Sequence, residues 1–465
     1  LVTALEPVLR ERGGVWVGWP GIERGRIQNL DAVLSRATEG VGYEVKGVNL
    51  SPRQRDDFYL GFANQVIWPL FHDLLDQCNF EPRFWQTYEE VNRKFARVLA
   101  REIREGDFVW VHDYHLMSVG AELRERGVEQ RLGFFLHIPF PPLDLFVTLP
   151  WRFQILKGLL SFDLVGFQSA RDRKNFVQCV RHMVPEVAIS STEARVCRLK
   201  VGRRTVRAGV FPVSIAFEEF AGAAASDEVS ERVAGLRSEF LGRTMILGVD
   251  RLDYSKGIPH KLQGFRVALR RYPELRERVS LVQLVVPSRE DIPEYDRMKS
   301  EIERLVGRIQ GEFTRGGWVP IHYQYGRWNR TELVAHYRAA GVALVTPLKD
   351  GMNLVAKEFC ASSLEGKGVL ILSEYAGATA QLQENVLLVN PHDVEGVSKA
   401  IHRAVTMEPG RRRSMMEKLR SVVREQDIFW WVDTFLKAAR DEDLGASAGV
   451  ETFRAVARDG YFDRL

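Results

Sequence analysis

Asp350, Gly351, Met352 and Asn353 interrupt an otherwise buried pattern: the apolar run 342–345 precedes them and a stretch with helical spacing carries on through Glu358. A strand-to-helix turn of this kind is where an open α/β sheet presents ligand-binding groups. Glycine lets the backbone come close, and the next helix offers unpaired N–H groups to anionic or hydroxyl oxygens. Two carboxylates flank the turn, Asp350 before it and Glu358 about two helical turns later, and carboxylates accept hydrogen bonds from sugar hydroxyls. A capping Asp and a solvated Glu would account for the same residues. A second constellation supplies the opposite charge: Arg251 and Lys256 stand on either side of a turn that follows the apolar run 245–250 and opens a helix. Two cations with backbone amides between them suit a diphosphate, although two surface basic residues are the plainer reading. A third constellation is formed by two buried-type strands that end abruptly in polar residues, one at His112-Asp113-Tyr114-His115 and one at His137. In a parallel sheet the C-terminal strand ends line one crevice, so Asp113 and His137 are expected to face the same cavity.

The elements that must position these groups follow in order along the chain. A helix over 1–12 ends at Gly13-Gly14, and strands are predicted at 15–19, 43–48, 108–115, 131–142, 164–168 and 207–211. The segment 59–72 is dense in aromatic residues, mostly core, with Tyr59 and Trp68 as candidate site walls. The small, turn-prone run from Ala221 to Ser226 reads as a domain boundary. A second series of strands is predicted at 245–250, 279–286, 319–323, 342–345, 369–373 and 386–389. Strand–helix alternation of this length is the pattern of parallel sheets covered on both faces, and 465 residues are too many for one core. No short repeat is visible, and 441–449 reads as a polar, loosely attached stretch.

Composition narrows the function class. Sixty-five Lys and Arg against 61 Asp and Glu leave +4, so any anion site must be local and a nucleic-acid binder is not expected. Cys78, Cys179, Cys197 and Cys360 lack metal-ligand spacing and read as buried thiols of a reducing, cytoplasmic compartment. No apolar run reaches membrane-spanning length, no signal peptide is visible, and no G-x-G-x-x-G opens a helix, which weakens a redox reading.

Four stretches together resemble the trehalose-6-phosphate synthases in sequence, order and separation: His112 to His115, Phe135 to Pro141, Arg251 to Gly257 and Thr346 to Glu358. The likeness runs from Leu1 to about Arg440. It implies an α/β GT-B architecture, two Rossmann-like domains with parallel sheets facing across a cleft. The divisions expected are an acceptor domain over 1–218, lacking its first strand, a nucleotide-sugar domain over 219–427, and a C-terminal helix with tail over 428–465 that packs back toward the first domain. The activity implied is transfer of glucose, with retention, from a nucleotide sugar, most often UDP-glucose, to glucose 6-phosphate. The resemblance further implies that Arg251 and Lys256 grip the donor diphosphate, that Glu358 holds the ribose, and that Leu354, Val355, Ala356 and Lys357 line the donor with it. It puts Asp350 on the hydroxyls of the transferred glucose with Gly351, Met352 and Asn353 approaching it, and the backbone at Trp328 on the base. It implies acceptor-binding roles for Asp113, Tyr59 and Arg289, the latter two on the phosphate, aromatic walls at Trp19 and Trp68, and His137 beside the donor glucose. No metal, no cofactor beyond the co-substrate and no protein nucleophile are expected. Partners are small molecules, with no nucleic acid and no membrane, and a homo-oligomer is compatible with the chain. In the family a strand carrying a phosphate-binding arginine and a glycine-rich loop precede the position of Leu1, Gly is usual where Ser214 stands, and nothing matches the residues after Asp441. Alternatives are a sister synthase acting on glycerol 3-phosphate, a cyclitol-coupling relative and a catalytically silent sugar-phosphate sensor.

Overall fold

The computed structural model describes residues 2–22, 30–190, 195–240, 242–289 and 293–442. The chain divides into two compact units, one formed by residues 1–213 with the helix Ile428–Ala439, the other by residues 214–427.

In the first unit, β1 (Val15–Gly18) and β2 (Glu44–Gly47) form a two-stranded parallel sheet. The larger sheet contains β3 (Phe108–His112), β4 (Arg131–Leu136), β5 (Leu164–Phe167), β6 (Ala188–Ile189), β7 (Val196–Val201) and β8 (Arg204–Val210), in the order β3-β4-β5-β8-β7-β6. The first four in that order run parallel, whereas β8, β7 and β6 pair antiparallel. This hairpin adds an antiparallel edge to the parallel strands. Buried Cys197 and Leu199 alternate with exposed Arg198 and Lys200, and Gly202 at φ 59° supplies the tight turn.

The helix Ile428–Ala439 is seated on this sheet by two glycines. A Cβ built on Gly133 or Gly166 would stand 2.9 Å or 2.7 Å from the ring of Phe435, which lies in the groove they leave. Trp431 donates its indole N–H to the Phe211 carbonyl at 2.9 Å. Buried Arg207 donates to the carbonyls of Ala438 and Ala439 at 2.7 and 2.9 Å. A cation on the last carbonyls satisfies groups that the helix leaves open and complements its dipole.

The second unit has one all-parallel sheet. Its strands are β9 (Thr244–Arg251), β10 (Val279–Val286), β11 (Ile321–Tyr325), β12 (Val342–Val345), β13 (Val369–Ser373) and β14 (Leu387–Val389), ordered β11-β10-β9-β12-β13-β14. Burial on both faces explains the near-continuous apolar strands. Leu247, Ala343, Val345, Leu370 and Leu372 enter one core, and Ile246, Val342, Leu344, Val369 and Ile371 the other. The order reverses between β9 and β12, a topological switch point where two following turns splay apart and leave a crevice at the strand ends. The run from Ala221 to Ser226 is no linker: alanine favours helix, and Ala221 and Ala224 face the core with Phe217 and Phe220 in the helix Phe217–Ala225. The stretch after Glu442 lies outside the described residues.

Gly166→Ala is expected to lower the unfolding free energy by about 1–3 kcal/mol through overpacking. Urea denaturation of Gly166→Ala, Phe435→Leu and the double variant checks this, because the smaller partner should recover part of the loss.

Candidate active site

The turns after β9 and β12 pack on each other at the switch point. Beneath them lies a fully buried network in which Lys261 pairs with Asp250 and Gln283 donates to the same carboxylate oxygen at 2.9 Å. Asp253 accepts from the Ser255 N–H at 2.9 Å, and Gly257 adopts φ 64° where a Cβ would come within 2.9 Å of the Thr346 carbonyl. The Leu348 N–H donates to the Ser255 carbonyl at 2.8 Å. These contacts bring Lys256 to Asp350, with Nζ 2.6 Å from Oδ2 and both side chains only 10% exposed. Asp350 also accepts from Asn353 Nδ2, on Oδ2 at 3.0 Å, and from the Met352 N–H, on Oδ1 at 3.3 Å. Gly351 is buried, and Asn353, left-handed at φ 59°, opens the helix Leu354–Ser362 without a side-chain cap, leaving its first N–H groups for an anion. Arg251 is exposed at the end of β9.

Along that helix the predicted donor-lining residues separate. Leu354, Val355 and Glu358 are half-buried, whereas Ala356 is part of the core. The Lys357 side chain is fully buried, and its ammonium bonds the Gln381 side-chain carbonyl. Glu358 Oε2 accepts from the hydroxyl of fully buried Tyr337 at 2.8 Å, and burial raises the carboxyl's pKa while that bond lowers it. Trp328 stacks on His336 at 3.9 Å and donates to Gln324. Arg289 is no open fork: at φ 50° and with its side chain 6% exposed, it donates through Nη1 to Asp253 at 3.2 Å and to the Tyr295 hydroxyl at 2.6 Å.

In the first unit Asp113 and His137 meet. The His137 N–H donates to Asp113 Oδ1 at 3.4 Å, the Tyr114 N–H to the same oxygen at 3.0 Å, and the Asp113 N–H to the Phe135 carbonyl at 2.8 Å. His137 is buried, which lowers its pKa well below the ordinary imidazole value and keeps it neutral near pH 7. Tyr59 stacks on His115 at 5.7 Å and Trp19 meets Tyr59 edge-on at 5.4 Å. Tyr59 comes from the π-helical segment Arg55–Ile67, whose wider turn lets Asn64 reach both the Tyr59 carbonyl at 2.7 Å and the Tyr114 hydroxyl at 3.1 Å. Trp68 is 5% exposed and packs against His72 and Tyr114. Sequence reasoning missed Asn64 and Tyr337, neither of which had a local signal.

Backbone strain concentrates on the same residues. Of six non-glycine residues with positive φ among those described, three are Asp113, Arg289 and Asn353. Asp113, at φ 73° and ψ 166°, occupies a region essentially reserved for glycine, at a cost of about 1–3 kcal/mol. Asp113→Gly and Asp113→Ala both remove the carboxylate, so both should lose activity. The glycine variant should nevertheless be the more stable by about 1–2 kcal/mol, measured by urea denaturation.

The model of glycosyltransferase family 20 matches residues 1–441. The chain is 42% identical over 451 residues to trehalose-6-phosphate synthase of Mycobacterium sp. (strain KMS), covering 96% of this chain and 90% of that one. Among solved structures it is similar to the UDP-forming α,α-trehalose-phosphate synthase of Burkholderia xenovorans in complex with glucose 6-phosphate (TM-score 0.85, 33% identity, 94% of this chain and 95% of that one). It is likewise similar to the E. coli trehalose-6-phosphate protein bound with UDP-2-fluoro glucose (TM-score 0.86, 34% identity, 94% and 96%). A family model spanning nearly the whole chain, relatives of this identity and two sheets of the same fold place the chain in glycosyltransferase family 20.

Proposed function

We propose that this chain is a trehalose-6-phosphate synthase that transfers glucose from UDP-glucose to glucose 6-phosphate with retention at the anomeric carbon. The observation that carries the reading is the contact between Lys256 and Asp350 at the switch point. It sets a cation for a departing diphosphate beside a carboxylate for the hydroxyls of the sugar being transferred, and in a nucleotide sugar those two groups flank the anomeric carbon.

In the step proposed, the bond from the anomeric carbon to the diphosphate oxygen breaks. The acceptor's anomeric hydroxyl oxygen bonds to that carbon on the same face, and its proton passes to the departing phosphate. Lys256 and Arg251 stabilise the negative charge that develops on the leaving group. Fixed cations and dipoles of this kind contribute on the order of 3 kcal/mol each. The uncapped N-terminus of the helix Leu354–Ser362 adds N–H groups to the same end of the donor, and Glu358, held by Tyr337, takes the ribose hydroxyls. Asp350 orients the sugar, itself held by Lys256 and Asn353 on one oxygen and by the Met352 N–H on the other. In the first unit Asp113 and the Trp19–Tyr59 pair bind the acceptor, and His137 meets a hydroxyl of the donor glucose. Arg289 is assigned the acceptor's phosphate.

Uridine diphosphate release from UDP-glucose should be rapid with glucose 6-phosphate, and trehalose 6-phosphate should accumulate. Equal release with glycerol 3-phosphate, or with no acceptor, would overturn the assignment. Arg289→Ala should raise the KM for glucose 6-phosphate about tenfold or more, the loss of a charge-assisted bond, and move the KM for UDP-glucose by less than about twofold. Steady-state kinetics with each substrate varied in turn read this, and an equal rise in both constants would contradict the role given to Arg289.

A further inference from the structure

We propose that Asp253 is a positioning residue that sets the acceptor's phosphate site against the donor's: one of its carboxylate oxygens holds the turn that carries Lys256, and the other holds Arg289. The proposal rests on the reading of Arg289 as the group that meets the acceptor's phosphate.

Asp253 stands two residues beyond β9, and Arg289 three beyond β10, the neighbouring parallel strand, so the sheet delivers the two segments side by side. The strands keep register to their ends, with Arg251 opposite Val286, and the Leu252 N–H carries the ladder on to the Val286 carbonyl at 2.8 Å. Past that point the Asp253 side chain joins the two segments. Its Oδ1 accepts from the Ser255 N–H at 2.9 Å, and its backbone carbonyl accepts from the Lys256 N–H at 3.1 Å, which closes the short turn Tyr254–Lys256. Its Oδ2 accepts from Arg289 Nη1 at 3.2 Å, and the same nitrogen donates to the hydroxyl of Tyr295 at 2.6 Å. Tyr295 is 1% exposed in the first turn of the helix Pro293–Phe313.

The choice of an aspartate here is informative. A side-chain oxygen on the Ser255 N–H makes an Asx turn, which asparagine forms equally well without burying a charge. The Asp253 side chain is 0% exposed, and desolvating a carboxylate is costly unless a cation meets it. What the charge adds over an amide is a second acceptor oxygen for the Arg289 guanidinium. Both N–H bonds of Nη1 lie in the guanidinium plane, so two acceptors on that nitrogen fix the plane's orientation. The backbone of Arg289, at φ 50°, is in a region that residues with side chains seldom occupy and that persists where the surroundings determine it. Lys256 and Arg289 are thus both referred to one buried carboxylate, which sets the place of the acceptor's phosphate relative to the donor's diphosphate before either is bound.

The experiment uses the full chain and the variants Asp253→Asn, Tyr295→Phe, Arg289→Ala and Asp253→Asn with Arg289→Ala. Asp253→Asn keeps an acceptor for the Ser255 N–H and presents an N–H group where Arg289 needs an oxygen. Tyr295→Phe leaves the carboxylate and the turn intact, and so tests the Arg289 arm even if the asparagine variant does not fold. Steady-state kinetics give the KM for glucose 6-phosphate, and calorimetric titration gives the Kd for uridine diphosphate. The KM for glucose 6-phosphate should rise about tenfold or more in Asp253→Asn and about threefold in Tyr295→Phe, with the Kd for uridine diphosphate within about twofold of native throughout. In the double variant that KM should be no higher than in Arg289→Ala alone, since residues acting through one another are non-additive. A purely structural role would weaken uridine diphosphate binding as well and would add to the loss of Arg289, and either result overturns the proposal. It is also overturned if Arg289→Ala raises the KM for glucose 6-phosphate while Asp253→Asn and Tyr295→Phe leave it native. Should Arg289→Ala itself leave that KM native, the reading of Arg289 fails and the proposal falls with it.

Discussion

The ion pair between Lys256 and Asp350 is the constraint on which the second unit's chemistry depends. Both charges are almost entirely withdrawn from water, and the desolvation of such a pair can equal or exceed its Coulomb attraction. Its value is therefore positional. It ties the turn that follows β9 to the turn that follows β12, the two that the reversal of strand order leaves unpaired at their ends. The Asp250–Lys261–Gln283 network serves the same end one layer down, anchoring the helix that follows Lys256 to the strand that precedes Arg251. One cation and one carboxylate, Lys256 and Asp350, are thereby held in a fixed geometry at the switch point.

Strain and polar support mark the functional regions independently of charge. The backbone tolerates an aspartate at φ 73° because three hydrogen bonds fix it: its own N–H on the Phe135 carbonyl, and the N–H groups of Tyr114 and His137 on its carboxylate. A residue with no directed task there would be expected to be glycine. Around the turns of the second unit, the hydroxyls of Ser255 and Thr346 and the side-chain oxygen of Asn353 are buried without a hydrogen-bond partner.

The first unit uses aromatic packing for the same purpose. Trp19, Tyr59 and Trp68 all contact one another or the Tyr114–His115 pair just beyond Asp113, and the π-helical turn is what lets a single segment deliver Tyr59 and Asn64 together. The long C-terminal helix is locked by shape, through two glycines under Phe435, and by Arg207 on its last carbonyls.

Local pattern alone was enough to find most strands, the polar turns that end them, and the residues Asp113, His137, Arg251, Lys256, Asp350 and Glu358 that those turns carry, because period, turn chemistry and abrupt polarity are properties of neighbouring residues. The β7–β8 hairpin escaped because its short alternating strands carry polar residues at every other place, and the alanine run was misjudged because small residues suit turn and helix alike. Only the tertiary structure decided that Lys256 meets Asp350 across 94 positions, that Tyr337 holds Glu358, that Lys357 and Trp68 face inward, and that His112 shares a hydrogen bond with His137. Those contacts follow from strand order and from which face of each helix is buried, and both are set by packing between segments far apart in the chain, on which a local hydrophobic pattern carries no information.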